Sequence, residues 1–251
     1  MTDIRKISSK PPKGAEKKKF KTKFEKLVEQ ITALQHIMYA QGKHSLLVVL
    51  QGMDSSGKDG VTRKVFGPIP AYAINLQSFK KPTDEEFAHD FLWRVHKEMP
   101  AKGMIQIFNR SHYEDVLIQR VHKWISEDHV ADRMEAINSL EKLVQFDNKT
   151  TILKFFLHLS KERQGEKLQE RLDIPEKNWK HNDGDWKERE HWDAYMDCYN
   201  DVFKKCDNPK WHIIPSDEQW YRNYCVAKIV LETLEGMKLE YPKLESELFT
   251  S

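Results

Sequence analysis

Between residues 52 and 60 the chain reads Gly52-Met53-Asp54-Ser55-Ser56-Gly57-Lys58-Asp59-Gly60, which satisfies the phosphate-loop pattern G-x-x-x-x-G-K. Glycines let the backbone curl so that successive N–H groups converge on phosphate oxygens. Lys58 adds a point charge for bridging phosphates, and a helix starting there turns its positive end towards them. Gly52, Met53, Ser55, Ser56, Gly57, Asp59 and Gly60 are therefore expected to bind phosphate or nucleotide, with Lys58 catalytic. Three fixed positions are a modest signal alone, and a chance glycine turn competes. Two features depart from the usual pattern. Asp59 stands where a Ser or Thr ordinarily holds magnesium, and Asp54 puts a carboxylate inside the loop. Like charges repel, so that carboxylate is unfavourable by itself. It makes sense if it meets Mg²⁺, directly or through water, receives a proton or positions the acceptor, since magnesium wants oxygen ligands and keeps several waters. A turn-forming Asp is the alternative.

A second constellation follows MIQIF (104–108): Asn109-Arg110-Ser111-His112-Tyr113-Glu114-Asp115. In phosphate-loop enzymes an acidic residue near the end of such a strand helps hold the metal. Here the first position is the neutral Asn109, with Glu114 and Asp115 one turn on. Arg110 would sit at the sheet's carboxyl edge and neutralise a transferring phosphoryl group, whose loose transition state needs positioning and cations. A helix cap with a surface arginine explains the same residues equally well. Arg163, Lys167 and Arg171 recur at i, i+4 and i+8, a basic stripe on one helix face. On a mobile lid they would close over phosphates and exclude water; paired with Glu162, Glu166 and Glu170, they would form an ordinary solvated helix. Lys80 and Lys81 could hold an acceptor phosphate with Phe79 near a base, although a surface lysine pair is commoner. Trp179, Trp186, Trp192 and Tyr195 are expected to pack the lid and a long helix. His112 and His191 lack metal-ligand spacing and read as structural.

These residues need elements to hold them. HSLLVVLQ (44–51) is a continuous apolar run of the kind buried on both faces. Further strands are expected at 73–79, 104–108, 151–157 and 211–215. Helices are expected at 20–41, from Lys58, at 83–98 with Thr83 and Glu86 as a capping box, and at 113–126 and 129–147. Others follow at 160–172 with Ser160 as cap, at 185–205 and at 217–235. Alternating strands and helices imply an α/β fold, a parallel sheet flanked by helices, with ligands bound beyond the carboxyl ends of the strands. Residues 1–19 read as a basic flexible tail, and 20–251 as a single phosphate-loop kinase domain with a lid at about 160–190.

Composition narrows the class. The formal net charge is +2, yet residues 1–26 hold ten Lys/Arg against three acidic residues, a basic arm suited to a polyanion or to plain solvation. Cys198, Cys206 and Cys225 form no CxxC and are odd in number, against a disulfide framework or zinc site. A reducing, cytoplasmic setting fits. No apolar run spans a bilayer, no signal peptide is apparent, and no nucleic-acid reader motif appears.

The loop GMDSSGKDG, the segment FNRSHYEDVL (108–117) and WHIIPSDEQWYRNYCVAKIV (211–230) resemble, in order, the polyphosphate kinase 2 family. The likeness spans roughly 20–235, and the first two motifs together are specific. It implies a P-loop sheet with a helical lid, related to thymidylate kinase. It also implies reversible phosphoryl transfer between inorganic polyphosphate and AMP or ADP, with Mg²⁺. HYED after the arginine resembles the branch acting on both mono- and diphosphates, with adenine and also guanine nucleotides as candidates. By the resemblance, Asp54, Lys58 and Arg110 match essential positions, Arg163 and Arg171 match lid arginines, and Glu114 compensates for Asn109 where many members have Asp. Asp54 and Glu114 are thus the expected metal contacts, and a dimer or tetramer the expected assembly. An ATP-dependent nucleoside monophosphate kinase needs the same cradle and stays open. A non-catalytic polyanion-binding module is the third reading, opposed by the intact Gly57-Lys58.

Overall fold

The computed structural model describes residues 3–246. In chain order, α1 (Lys17–Gln41) leads to β1 (Ser45–Gln51), α2 (Lys58–Val61) and a single π-type turn, Thr62–Phe66. Next come β2 (Ile74–Ser78), the short helices α3 (Asp84–Phe87) and α4 (Trp93–His96), and β3 (Ile105–Asn109). Then follow α5 (Glu114–Val121), α6 (Glu127–Asn148), β4 (Thr150–His158), α7 (Lys161–Asp173) and α8 (Asp183–Glu190). The chain continues through α9 (Trp192–Lys205), β5 (Trp211–Pro215) and α10 (Gln219–Gly236).

The five strands form one parallel sheet in the order β2-β3-β1-β4-β5. Every residue of β1 is buried, because helices cover both faces of the sheet. Successive side chains alternate between those faces. Leu47 and Val49 of β1 join Phe156 of β4 and the apolar residues of α6 and α9 on one side. Leu46, Val48 and Leu50 join Phe155 and Leu157 and the inner face of α10 on the other. Placing β1 between β3 and β4 brings the loop after β1 beside the ends of both neighbours. Among the described residues no helix is long and apolar enough to cross a membrane.

The expected strands all appear, within two residues at each end. The helix expected at 83–98 is cut in two. Its capping box forms as read, but Asp90 Oδ1 accepts from Leu92 N at 2.9 Å, a local turn that competes with helical bonding. The long helix expected at 185–205 breaks at His191 into α8 and α9. The segment read as a flexible tail is laid on the body over residues 3–9. Ile4 is fully buried and donates its N–H to Asn200 Oδ1 at 2.9 Å. His158 Nε2 lies 3.0 Å from Ile7 O, and Ser9 Oγ donates to Asp217 at 2.9 Å. One apolar residue and a few complementary hydrogen bonds suffice, and such a short anchor shows no periodicity.

Candidate active site

The apolar run of β1 stops at Gln51, and the chain turns through residues 52–57 into α2. Gly57 has φ +98°, where a side chain is strained. Lys58 opens α2 and folds back, its Nζ donating to Gly52 O at 2.7 Å and Met53 O at 3.3 Å. Burial, reinforced by repulsion from Arg110, pushes the lysine pKa down to about 8.

Across from it, β3 ends in Asn109 and Arg110. Arg110 has a left-handed backbone, φ +62°, and its N–H bonds Leu50 O at 3.0 Å, tying the β3 end to β1. Its guanidinium pairs with Asp54 of the loop and with Glu114 at 3.4 Å. Glu114 in the first place, and Asp54 after it, raise the arginine's proton affinity despite its burial. Asn109 Nδ2 donates to Asp59 at 2.6 Å. The loop and the strand-end constellation, 56 residues apart in sequence at Asp54 and Arg110, thus form one charged cluster. Asp115 does not join it: burial raises its pKa, and it pairs with Arg94 at 3.2 Å.

Helix α7, expected to belong to a lid, packs on the other side of the loop. Ser160 caps α7 as expected, accepting from Arg163 N at 3.1 Å. The basic stripe then divides. Lys167 Nζ donates to Ser55 O at 3.2 Å, and Arg171 donates to Ser55 Oγ at 2.7 Å while pairing with Asp185 at 2.5 Å. Gln164 Nε2 reaches Asp54 O at 3.1 Å. Burial, then repulsion from Arg222 and Arg163, brings the Lys167 pKa down to about 8. Arg163 stays on its own helix, paired with Glu166 at 2.5 Å and Glu170 at 3.6 Å.

A small pocket opens between these parts, lined by Gly52, Met53, Asp54, Arg110, Glu114, Glu188, Tyr195 and Tyr199. Tyr195 donates to Glu188 at 2.7 Å. Tyr195 therefore faces the site as well as packing the helix. Trp192 is buried as expected, but Trp179 is 78% exposed, with Lys180 over its ring at 4.8 Å. Lys80 and Lys81 are exposed. Phe79 is not offered to a base: it is buried, edge-on to Phe108 at 4.9 Å and under Arg94 at 5.4 Å. His112 is fully buried beside Glu141.

The sequence reading missed Gln164, Glu188, Tyr199 and Arg222 as parts of this region. Glu188 and Tyr199 lie on helical turns flanking Tyr195, so a turn-by-turn reading of α8 and α9 could have found them. Hard oxygen donors surround the loop in Asp54, Asp59 and Glu114. Among the described residues no three His, Cys, Asp or Glu are grouped to hold a metal by themselves. Magnesium is commonly held by one or two carboxylates together with phosphate oxygens and waters, so this donor set fits it.

The chain matches, over residues 14–242, the family model described as polyphosphate kinase 2. It is 45% identical over 222 residues to the AMP/ADP-polyphosphate phosphotransferase of Meiothermus ruber, a match covering 88% of this chain and 83% of that one. It is 39% identical over 231 residues to the ADP-polyphosphate phosphotransferase of Rhodopseudomonas palustris, covering 86% and 79%. The crystal structure of polyphosphate kinase 2 from Arthrobacter aurescens TC1 matches with a TM-score of 0.93 at 37% identity, covering 98% of this chain and 89% of that one.

Proposed function

Because this chain belongs to the polyphosphate kinase 2 family, we propose that its site transfers a phosphoryl group reversibly between inorganic polyphosphate and AMP or ADP, with guanine nucleotides as further acceptors. The protein is a phosphotransferase with a P-loop kinase fold. The observation that carries the reading is Arg110, held between Asp54 and Glu114 above the loop that Lys58 closes.

In the forward direction a terminal phosphate oxygen of the nucleotide attacks the end phosphorus of the polyphosphate. The new P–O bond forms as the bridging P–O bond breaks, and the polyphosphate leaves one unit shorter. Such a transition state is loose, so the protein contributes position and positive charge. The N–H groups of Gly52–Gly57 and the Lys58 ammonium hold the phosphates. Arg110 swings its shared charge from Asp54 to the moving group. Asp54, so released, orients the acceptor and takes its proton where the acceptor oxygen carries one. As an alternative to that proton transfer, Asp54, together with Glu114, would hold Mg²⁺ directly or through water, and the ion would supply neutralisation of the phosphate charge. Lys167 and Arg171 bring the lid onto Ser55, which excludes water and suppresses hydrolysis. Arg163, Lys80 and Lys81 serve as outer contacts for the polyanion, and the basic arm steers it, an effect that weakens with salt.

The same reading takes 20–251 as one domain with its lid at about 160–190, placed in the cytoplasm in keeping with three free cysteines. A homodimer or tetramer is the expected assembly, in keeping with the edge strand β2, where Leu76 is 52% exposed. Light scattering of the purified protein tests the assembly. The activity test is purified protein with polyphosphate, Mg²⁺ and either AMP or ADP, products resolved. Formation of ADP and ATP is expected, and failure of both would refute the reading. Replacing polyphosphate with ATP at fixed AMP separates it from an ATP-dependent monophosphate kinase.

A further inference from the structure

Arg222 on α10 is 1% exposed and stands directly behind the phosphate loop. Its Nη1 donates to Ser56 O at 3.1 Å, while Nε and Nη2 donate to Asn223 Oδ1 at 3.2 and 3.1 Å. Among the described residues no carboxylate pairs with it. Burial alone pushes its pKa down to about 10, so the guanidinium stays charged at neutral pH.

The loop is shaped around this cation. A Cβ added at Gly57 would lie 1.9 Å from Nη1, and one at Gly60 would lie 2.9 Å from Nη2. Gly60, read from sequence as a phosphate contact, makes room for Arg222. The carbonyls tell the same story. Gly52 O and Met53 O accept from Lys58, Asp54 O from Gln164, Ser55 O from Lys167 and Ser56 O from Arg222. Side-chain donors hold these five carbonyls, and four of the five face a cation. Three cations thus share neutral carbonyl acceptors around one short loop, an expensive arrangement unless an anion completes it.

We propose that Arg222 is a positioning residue for the donor's phosphates: it fixes the Ser56 carbonyl from behind, and its charge, uncompensated within the protein, is balanced by the polyphosphate on the loop's other side. The proposal rests on the reading that this loop binds phosphate. A buried cation lacking a partner should cost the unliganded protein stability and favour the liganded one, whereas a cation kept only for packing should do neither.

The test compares wild type, Arg222→Gln and Arg222→Lys in thermal unfolding with and without inorganic tripolyphosphate and Mg²⁺, and in KM and kcat for polyphosphate. Without tripolyphosphate, Arg222→Gln is expected to unfold at or above the wild-type midpoint. It should lose most of the tripolyphosphate-induced rise, with KM up about tenfold and kcat changed less. Arg222→Lys, which keeps the charge, should recover most of both. The proposal is overturned if Arg222→Gln fails to fold or unfolds well below wild type, if its tripolyphosphate response is intact, or if the Gln and Lys variants lose that response equally. A wild-type protein that shows no response to tripolyphosphate would instead remove the phosphate-binding reading beneath it.

Discussion

Two buried cations, one inside the sheet and one on the helix that follows β1, are treated in opposite ways. Lys154, at the middle of β4, is fully buried, and its Nζ donates to Glu141 at 2.7 Å, Tyr113 Oη at 3.1 Å and Cys206 O at 2.8 Å. Its charge is cancelled, and all three ammonium donors are used. Burial pushes the Glu141 carboxyl up, but His112 and Lys154 outweigh it and hold the group below its ordinary value. At the carboxyl end of the neighbouring strand β1, Lys58 is also buried, yet its hydrogen bonds go only to loop carbonyls. On the proposed function the difference separates structure from function: a cancelled charge holds elements together, whereas one bonded only to neutral carbonyls is free to attract an anion.

That contrast can be broken most severely at Lys58. Lys58→Met should cut polyphosphate-driven ATP formation by about a thousandfold while leaving the unfolding midpoint unchanged or higher, since an unpaired buried charge is removed. A loss of both activity and midpoint would place Lys58 with Lys154. The reverse experiment is Glu141→Gln. It should lower stability by about 3–5 kcal/mol by stranding Lys154, with kcat per folded molecule nearly unchanged, as read by denaturant titration alongside initial rates. Glu141→Leu combined with Lys154→Met should recover much of that stability.

Helix α7, the proposed lid, offers the same contrast on a smaller scale. Arg171→Ala should reduce kcat/KM by about 10–100-fold, because a charged hydrogen bond to the loop is lost. Arg163→Ala should stay within about twofold, because an outer, solvent-screened contact shared with Glu166 and Glu170 contributes little. Equal effects would mean that the lid turns Arg163 inward during turnover.

The smallest effect is on pH. Lys58 and Lys167, ordinarily near 10.5, sit at about 8 in the folded chain. Between those values the unfolded chain holds protons that the folded chain has released. The contribution of the two lysines to unliganded stability therefore rises as pH climbs from about 8 to 10.5. Phosphate affinity should fall over the same interval as their charge is lost. Calorimetry of tripolyphosphate binding in buffers of different ionisation enthalpy should show proton uptake near pH 8.5, because a bound anion favours the charged lysines.

The parts legible in the sequence are those whose signal is local. The apolar run LLVVL reads as a strand covered on both faces, and Gly57-Lys58 follows at the distance a phosphate loop requires. Asp54 and Arg110 could be brought together because parallel strands align their carboxyl ends. Helical spacing put Arg163, Lys167 and Arg171 on one face, but a face is longer than the contact. Ser55 meets two of them and leaves the third to Glu166. Arg222 lies in the 211–230 segment that carries the family resemblance, but nothing local tied it to the loop, since it meets Ser56 across 166 positions. Phe79 misled for a related reason: its aromatic character suited a base as well as it suited Phe108, and only the packing decides.

The short anchor at the chain's beginning has a mechanical consequence. Ser9 holds one oxygen of Asp217, and the other accepts the N–H of Ser160 at 2.8 Å, at the root of α7. Ile4 meanwhile rests on α9 through Asn200. The root of α7 and the middle of α9, which flank the proposed lid, are thus tethered to a strap far away in sequence. Deleting residues 3–9 is expected to loosen the root of α7 while leaving the phosphate loop intact, although it also takes Arg5 and Lys6 from the basic arm, so an amino-terminal truncation would change both how α7 is seated and how the polyanion is steered.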